Sequence, residues 1–109
     1  SATINFQSSS KVPVEGNSLQ LSCLVVTTSL DVNYDITWYS PQTSGEFGKC
    51  SRQGTLCTGG TITRKLSADV NGSYLSIQVL SRSLDEGRWR CIYSGQGQTV
   101  QTDINVTVY

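Results

Sequence analysis

The sequence predicts an all-β protein in which two antiparallel sheets pack face to face. Short runs that alternate apolar and polar residues recur between Gly, Pro, Asn and Ser turn signals, and no helical period is sustained. Cys23 ends one alternating run, Trp38 follows 15 residues later, and Cys91 closes a run that begins at Asp85. The length of 109 residues suits one core, so we expect residues 1–109 to form a single domain.

The first half of the chain predicts five strands. Residues 4–6 form an edge strand, which Pro13 and the serines before it interrupt, as edge strands tolerate. Residues 18–27 form a strand that places Leu21 and Cys23 on one face. After a polar loop over 28–34, a strand over 35–39 directs Trp38 inward. Two short strands are then expected over 47–51 and 56–57.

The second half predicts four more strands, which brings the total to about nine. The first covers residues 61–66, and Asn71-Gly72 is the strongest two-residue hairpin signal because both residues accept positive φ. Strands over 73–80 and 88–94 follow. Residues 95–97 turn into a last strand over about 99–109, whose alternation places Asn105 on the solvent face.

Four motifs, in this order and spacing, carry a resemblance that covers nearly the whole chain. They are Gly16-x-x-Leu19-x-Leu21-x-Cys23, Trp38-Tyr39, Leu75-x-Ile77 and Asp85-x-Gly87-x-Trp89-x-Cys91. With them the chain resembles the immunoglobulin superfamily. It is nearest to the V-set, or variable-type, domains of cell-surface and secreted recognition and adhesion proteins. The resemblance implies an immunoglobulin-like β-sandwich with a V-type Greek key.

The resemblance also implies residues with structural roles. Cys23 and Cys91 would form the disulfide between the two sheets, closing a loop worth roughly 4 kcal/mol in the chain-entropy model. The core around this disulfide would contain Trp38, Trp89, Leu21, Leu75 and Ile77. In the family, the acid at the position of Asp85 pairs with an arginine near the start of the strand over 61–66. We therefore expect a salt bridge to Arg64, with Lys65 as the alternative partner and two exposed surface charges as the competing interpretation.

Three positions depart from the family pattern. Trp89 stands at the tyrosine-corner position, and its indole N–H donates but cannot accept a hydrogen bond. The spacing from Leu80 to Asp85 is one residue long, which suggests a bulged turn before the strand over 88–94. The last strand lacks the F-G-x-G bulge of rearranged antigen receptors. The chain therefore resembles a germline-type receptor domain and not an antibody or T-cell receptor chain.

Composition excludes several classes of function. Eight basic and eight acidic residues balance with no run of one sign, so nothing steers the chain to nucleic acid or to an anionic membrane. The chain has no His, the commonest general base and metal ligand, and its cysteine spacings do not fit a zinc site. We expect no enzymatic activity, no metal and no cofactor.

Cysteine usage predicts an extracellular protein. Two disulfides imply an oxidising compartment, and the sequons at Asn71 and Asn105 agree with glycosylation there. No signal peptide and no apolar run of transmembrane length is present, so we expect a mature fragment of a larger ectodomain. Any membrane anchor would lie outside this fragment.

Cys50 and Cys57 are expected to form the second disulfide. It would close a small ring worth roughly 2.5 kcal/mol, with a free reactive pair or intermolecular bridges as the alternatives. The ring would hold Arg52 and Leu56 in a fixed pose, and pre-ordering a loop lowers the entropy lost on binding. The ring either lines a partner site or only stiffens a sheet edge, and the sequence favours neither.

A second candidate for partner binding is the outer face of the strands that the family labels G, F, C and C′. Exposed Tyr, Ile and Arg side chains there have the composition of an interface anchor, against the interpretation that they are ordinary surface residues. With the adjoining loops, the expected partner-binding residues are Thr37, Tyr39, Arg90, Ile92, Phe47, Tyr34 and Gln96.

The function that this face suggests is protein–protein recognition, in cell adhesion or in immune-type self/non-self discrimination. The partner would be another protein, bound homophilically or heterophilically, and an immunoglobulin domain is one candidate. One alternative is a soluble pattern-recognition module that binds carbohydrate through Tyr34, Tyr93 and loop amides. Another is a structural spacer domain with no ligand of its own.

Overall fold

The computed structural model describes residues 2–27, 33–51, 56–95 and 97–109, which form nine strands and one short helix. In chain order the elements are β1 (Ala2–Ser8), β2 (Leu19–Thr27), β3 (Tyr34–Tyr39), β4 (Gly48–Ser51), β5 (Leu56–Gly59), β6 (Arg64–Asp69), β7 (Gly72–Ile77), α1 (Arg82–Asp85), β8 (Gly87–Gly95) and β9 (Gln98–Val106).

The strands form two antiparallel sheets. One sheet has the strand order β1-β2-β7-β6, and the other has the order β5-β4-β3-β8-β9. The chain changes sheets three times, between β2 and β3, between β5 and β6, and between β7 and β8, as in a Greek-key sandwich. The all-β sandwich with nine strands that the sequence predicts is confirmed.

The core lies where the two sheets face each other around the Cys23–Cys91 disulfide. Trp38 is fully buried, and Phe6 meets its ring edge-on with 5.4 Å between the ring centroids. Alternation along the strands directs the other core residues into the same layer. The residues of the predicted core are all buried: Leu21, Trp38, Leu75, Ile77 and Trp89.

The strand predicted over 61–66 was placed too early, because β6 covers Arg64–Asp69. Thr61 and Arg64 exchange backbone hydrogen bonds in a tight turn, so residues 61–63 lead into the strand. The hairpin turn is also shifted by one residue from the predicted Asn71-Gly72, since Asp69 pairs directly with Gly72. Gly72 is required by close packing: a Cβ there would lie 2.2 Å from the carbonyl oxygen of Cys23.

The corner between β7 and β8 is a single helical turn, α1, in place of the predicted bulge. The helix takes up the extra residue between Leu80 and Asp85, and the Asp85 N–H donates to the Ser81 carbonyl at 2.7 Å. Trp89 replaces the tyrosine of the usual corner with a different donor. Its indole N–H donates to the Asp85 carbonyl at 2.9 Å, so the corner is closed by an indole instead of a phenol.

Candidate functional site

The outer face of the five-stranded sheet is organised in rows of side chains that run across the strands, and three of these rows cross three or more strands. Strand register sets these rows, because directly paired residues in an antiparallel sheet point to the same side. The central row is Thr58, Lys49, Thr37, Ile92 and Gln101. The row on the β7–β8 corner side is Tyr39, Arg90 and Asp103, and the row on the opposite side is Leu56, Ser51, Asp35, Ser94 and Thr99.

Charges on this face are mostly paired. Arg90 binds Asp103 through two hydrogen bonds, Nε to Oδ1 at 2.9 Å and Nη2 to Oδ2 at 3.4 Å, and Arg88 Nη1 lies 3.7 Å from Oδ2 of the same carboxylate. The hydrogen bond from Arg90 holds the pKa of Asp103 below its usual range and raises the pKa of Arg90. Lys49 and Asp35 form a weaker, exposed pair at 3.8 Å. The described residues of the face thus carry three cations and two carboxylates, which leaves one surplus positive charge. The cations are Lys49, Arg88 and Arg90, and the carboxylates are Asp35 and Asp103.

Ile92 and Tyr39 are the large side chains of the face that lie beside these charges. Ile92 is half-buried between Thr37 and Gln101, and Tyr39 is half-buried in the next row beside Arg90. An apolar side chain held by neighbouring strands, with a tyrosine and arginines around it, has the composition of an interface centre.

Two of the predicted partner-binding residues point into the sandwich: Tyr34 is buried, so the prediction was wrong for it, and Phe47 is partly buried. Phe47 packs against the core and meets Trp89 edge-on, with 5.6 Å between ring centroids. Tyr34 belongs to β3, which begins one residue earlier than expected, so strand alternation turns it inward with Ile36 and Trp38. Its ring packs on Tyr93 at 5.0 Å, and the two residues are 4% and 1% exposed. Arg52 and Gln96 lie outside the described residues.

The second disulfide, Cys50–Cys57, joins directly opposite residues of β4 and β5. Cys50 is buried, and its sulfur accepts a hydrogen bond from Ser73 Oγ at 3.2 Å. Ser73 Oγ in turn accepts from the Trp38 indole N–H at 2.8 Å. The disulfide therefore ties the sheet edge to the core, while Leu56 beside it is 67% exposed.

Ser73 is a buried polar residue whose role the sequence analysis missed. Ser73, Leu75 and Ile77 are alternate residues of β7 and face the same side, so strand alternation predicts that Ser73 points inward. What alternation does not reveal is the indole on the facing sheet that needs a hydrogen-bond acceptor.

The salt bridge between Arg64 and Asp85 fixes the end of the sandwich and lies away from the outer face. Arg64 donates from Nε to Oδ1 at 2.6 Å and from Nη2 to Oδ2 at 2.7 Å. The Asp85 side chain is fully buried and that of Arg64 is 11% exposed. The hydrogen bonds from Arg64 to Asp85 raise the pKa of Arg64. This pair is structural, because it joins the start of β6 to α1.

Both sequons present an exposed asparagine. Asn71 lies in the turn between β6 and β7, and its backbone N–H donates to Asp69 Oδ1 at 2.8 Å. Asn105 lies near the end of β9, opposite Arg88. Neither asparagine is in the central row of the outer face.

Within the part of the chain that the structure describes, no helix is long and apolar enough to span a membrane. The same residues contain no group of three or more His, Cys, Asp or Glu side chains arranged to hold a metal ion.

These strands, sheets and core define an immunoglobulin-like fold of the variable type. No protein-family model matches the chain, and no curated protein sequence matches it. The fold is similar to that of the human B7-H4 IgV-like domain, with a TM-score of 0.69 and 13% identity over 96% of both chains. It is also similar to two titin structures, with TM-scores of 0.70 and 0.65 and 13% identity in each. The alignments cover 98% of this chain but only 47% and 49% of the titin chains.

Proposed function

We propose that this chain is an extracellular protein–protein recognition domain that docks through the outer face of β4, β3, β8 and β9. The observation that carries the proposal is the position of Ile92. It stands in the middle row between Thr37 and Gln101, with Tyr39 and Arg90 in the adjacent row. A central apolar anchor with a polar surround is the usual anatomy of a protein interface.

Rigid docking is the proposed mechanism. The anchor residues lie on paired strands and not on loops, so little backbone freedom is lost when a partner binds. The surplus positive charge of the face favours a partner that contributes a carboxylate. Two copies of the chain docking face to face would each bring the same surplus. The proposed partner is therefore a different protein, engaged in adhesion or immune-type recognition.

Two disulfides support the extracellular assignment, because such bonds persist in oxidising compartments. We extend the proposal to the organisation of the protein: residues 1–109 act as one binding module of a larger ectodomain. We assign the chain no catalytic role, since the chemistry that the fold presents on this face is that of paired charges and an apolar anchor.

The test compares two surface substitutions of similar size on opposite sheets. Ile92→Arg places a charge in the centre of the proposed site, and Val26→Arg places one on the outer face of the four-stranded sheet, where Val26 is 59% exposed. Tetramers of the chain are applied to intact cells and binding is measured by flow cytometry. We expect Ile92→Arg to weaken binding by about tenfold or more, a loss of about 1.4 kcal/mol, and Val26→Arg to bind like the wild type.

Equal binding by the wild type and Ile92→Arg would contradict docking through this face. Absence of binding by any variant, together with a monomer at all concentrations in sedimentation, would favour the spacer function. Tyr34 and Tyr93, the two residues named for carbohydrate binding, are buried and so cannot contact a carbohydrate at the surface.

A further inference from the structure

The last strand of the five-stranded sheet, β9, has an open backbone edge whose direction can be derived from its hairpin with β8. Gly95 pairs with Gln98 across a two-residue turn, so these residues must exchange both of their backbone hydrogen bonds. Alternation from Gln98 then directs the backbone groups of even-numbered residues toward β8. Those of odd-numbered residues, including Asn105 and Thr107, point away from the sheet.

Hydrogen bonds at the end of the chain agree with this alternation. The Tyr109 carbonyl accepts from the Glu15 N–H at 2.7 Å, and the Tyr109 N–H donates to the Pro13 carbonyl at 2.8 Å, both on the open side. Val108 faces the other way. Its N–H donates to Glu86 Oε1, and its carbonyl accepts from Arg82 Nε, each at 3.0 Å.

The segment that covers Tyr109 does not continue along the edge. Residues 8–12 turn back on themselves, with Ser8 Oγ donating to the Ser10 carbonyl at 2.8 Å and the Val12 N–H donating to Ser10 Oγ at 3.1 Å. A groove of about 530 Å³ remains between β1 and β9, bordered by Asn105 and Thr107. In the described residues, no backbone hydrogen bond joins 8–12 to either of them.

An open edge of this length is a template for pairing with another strand, and proteins usually protect such edges. β9 contains no proline and no lysine, two of the usual protections, although Ala2 is hydrogen-bonded to the Gln98 side chain at its start. Its one charged residue, Asp103, is already bound to Arg90 and so gives little like-charge repulsion. The feature that remains is the sequon Asn105-Val106-Thr107, which begins at an exposed edge residue.

We propose that Asn105 carries an N-linked glycan that shields the open edge of β9, and that without it this edge pairs with β9 of a second copy. A glycan is bulky and hydrated, so it would exclude an approaching strand. In an antiparallel two-fold pairing, one register places Gln101 opposite Asp103 of the second copy, and Thr99 opposite Asn105. Asn105 is one of the residues paired in this register, so a glycan on it would block the pairing. It lies four residues, about 13 Å, along β9 from Gln101 and leaves the central row of the outer face free.

The experiment uses a matched pair of substitutions at one position, in protein secreted from a glycosylating cell line. Asn105→Gln removes the glycan and leaves the edge open, whereas Asn105→Pro removes the glycan and blocks the edge. Because the Asn105 N–H points away from β8, proline costs no hydrogen bond within the sheet. Peptide mass spectrometry after enzymatic deglycosylation reports glycan occupancy, and sedimentation equilibrium reports self-association. Asn71→Gln is the control for loss of the other sequon.

We expect Asn105 to carry the glycan. The wild type and Asn71→Gln should not self-associate through the β9 edge. Asn105→Gln should self-associate at least about tenfold more tightly than the wild type, and Asn105→Pro should not. Thr107→Ala removes the sequon while keeping Asn105, so it should dimerise like Asn105→Gln even if the proline variant fails to fold. Ile92→Arg added to Asn105→Gln should leave this dimer intact, which separates the edge from the proposed docking face. An unmodified Asn105 in the secreted protein, or a monomeric Asn105→Gln, would overturn the proposal.

Discussion

Replacing Asp85 by asparagine should be among the most destabilising conservative changes in this chain. The carboxylate is fully buried and accepts three hydrogen bonds, two from Arg64 and one from the Ser81 N–H at 2.7 Å. An asparagine oxygen placed at the Oδ2 position still accepts from Arg64 Nη2 and from Ser81. Its NH2 group then faces Arg64 Nε, so that two donors oppose each other.

The magnitude follows from the charge that is left behind. The Arg64 guanidinium keeps its positive charge at 11% exposure and loses its counter-ion. Removing one partner of a buried ion pair costs about 3–5 kcal/mol, most of it from the uncompensated charge. With a slope of about 1–3 kcal/mol per molar urea for a small protein, the unfolding midpoint should fall by roughly 2 M.

Equilibrium unfolding in urea, followed by tryptophan fluorescence, measures this change with both disulfides intact. The matched control is Asp35→Asn, which breaks the Lys49–Asp35 pair at 3.8 Å with both side chains more than 40% exposed. Exposed pairs contribute about 0–1 kcal/mol, so the control should unfold close to the wild type. If Asp85→Asn lost no more stability than Asp35→Asn, the argument that this buried pair holds the corner together would be wrong.

Three further substitutions test other parts of the structure. Ser73→Ala leaves the buried Trp38 indole N–H without an acceptor and should cost about 1–3 kcal/mol in urea unfolding; no loss would show that the indole finds another partner. Gly72→Ala forces a Cβ against backbone atoms of β2, and a loss below about 2 kcal/mol would show that the strands separate easily. Arg90→Gln should raise the pKa of Asp103, measured by carboxyl NMR titration. Because the folded pKa is the depressed one, Asp103 stabilises the fold above about pH 4, and this contribution is lost as pH falls through the folded pKa; an unchanged titration would contradict the coupling.

Much of the fold was predictable because it depends on local alternation and on a few long-range anchors. The motifs around Cys23, Trp38 and Cys91 place three inward residues on three strands, and parity then orients their neighbours. Strand boundaries were less predictable. Residues 61–63 have strand-like composition, yet they form a turn because Thr61 and Arg64 bond to each other.

The errors in the candidate site share a physical origin. Tyr34 and Phe47 both stand at a strand boundary: Tyr34 is the first residue of β3 and follows its alternation inward, whereas Phe47 lies just before β4 and outside its alternation. Each is held inward by an aromatic partner on β8, Tyr93 for the first and Trp89 for the second. Sequence composition shows an aromatic residue beside a loop, but only the paired sheet shows the ring that it packs against.

The two edges of the five-stranded sheet are built in different ways, and this difference indicates where unwanted association should begin. β5 is only four residues long, and the Cys50–Cys57 disulfide clips it to β4. A short edge strand gives another chain few backbone groups to pair with. β9 is nine residues long; Ala2 is hydrogen-bonded to the Gln98 side chain at its start, and the segment around Pro13 covers Tyr109 beyond its end. The sheet with the proposed docking face therefore has one edge that is short and one that is long and largely open. The proposed glycan on Asn105 would cover the long edge because Asn105 lies beside the uncovered stretch and away from the central row.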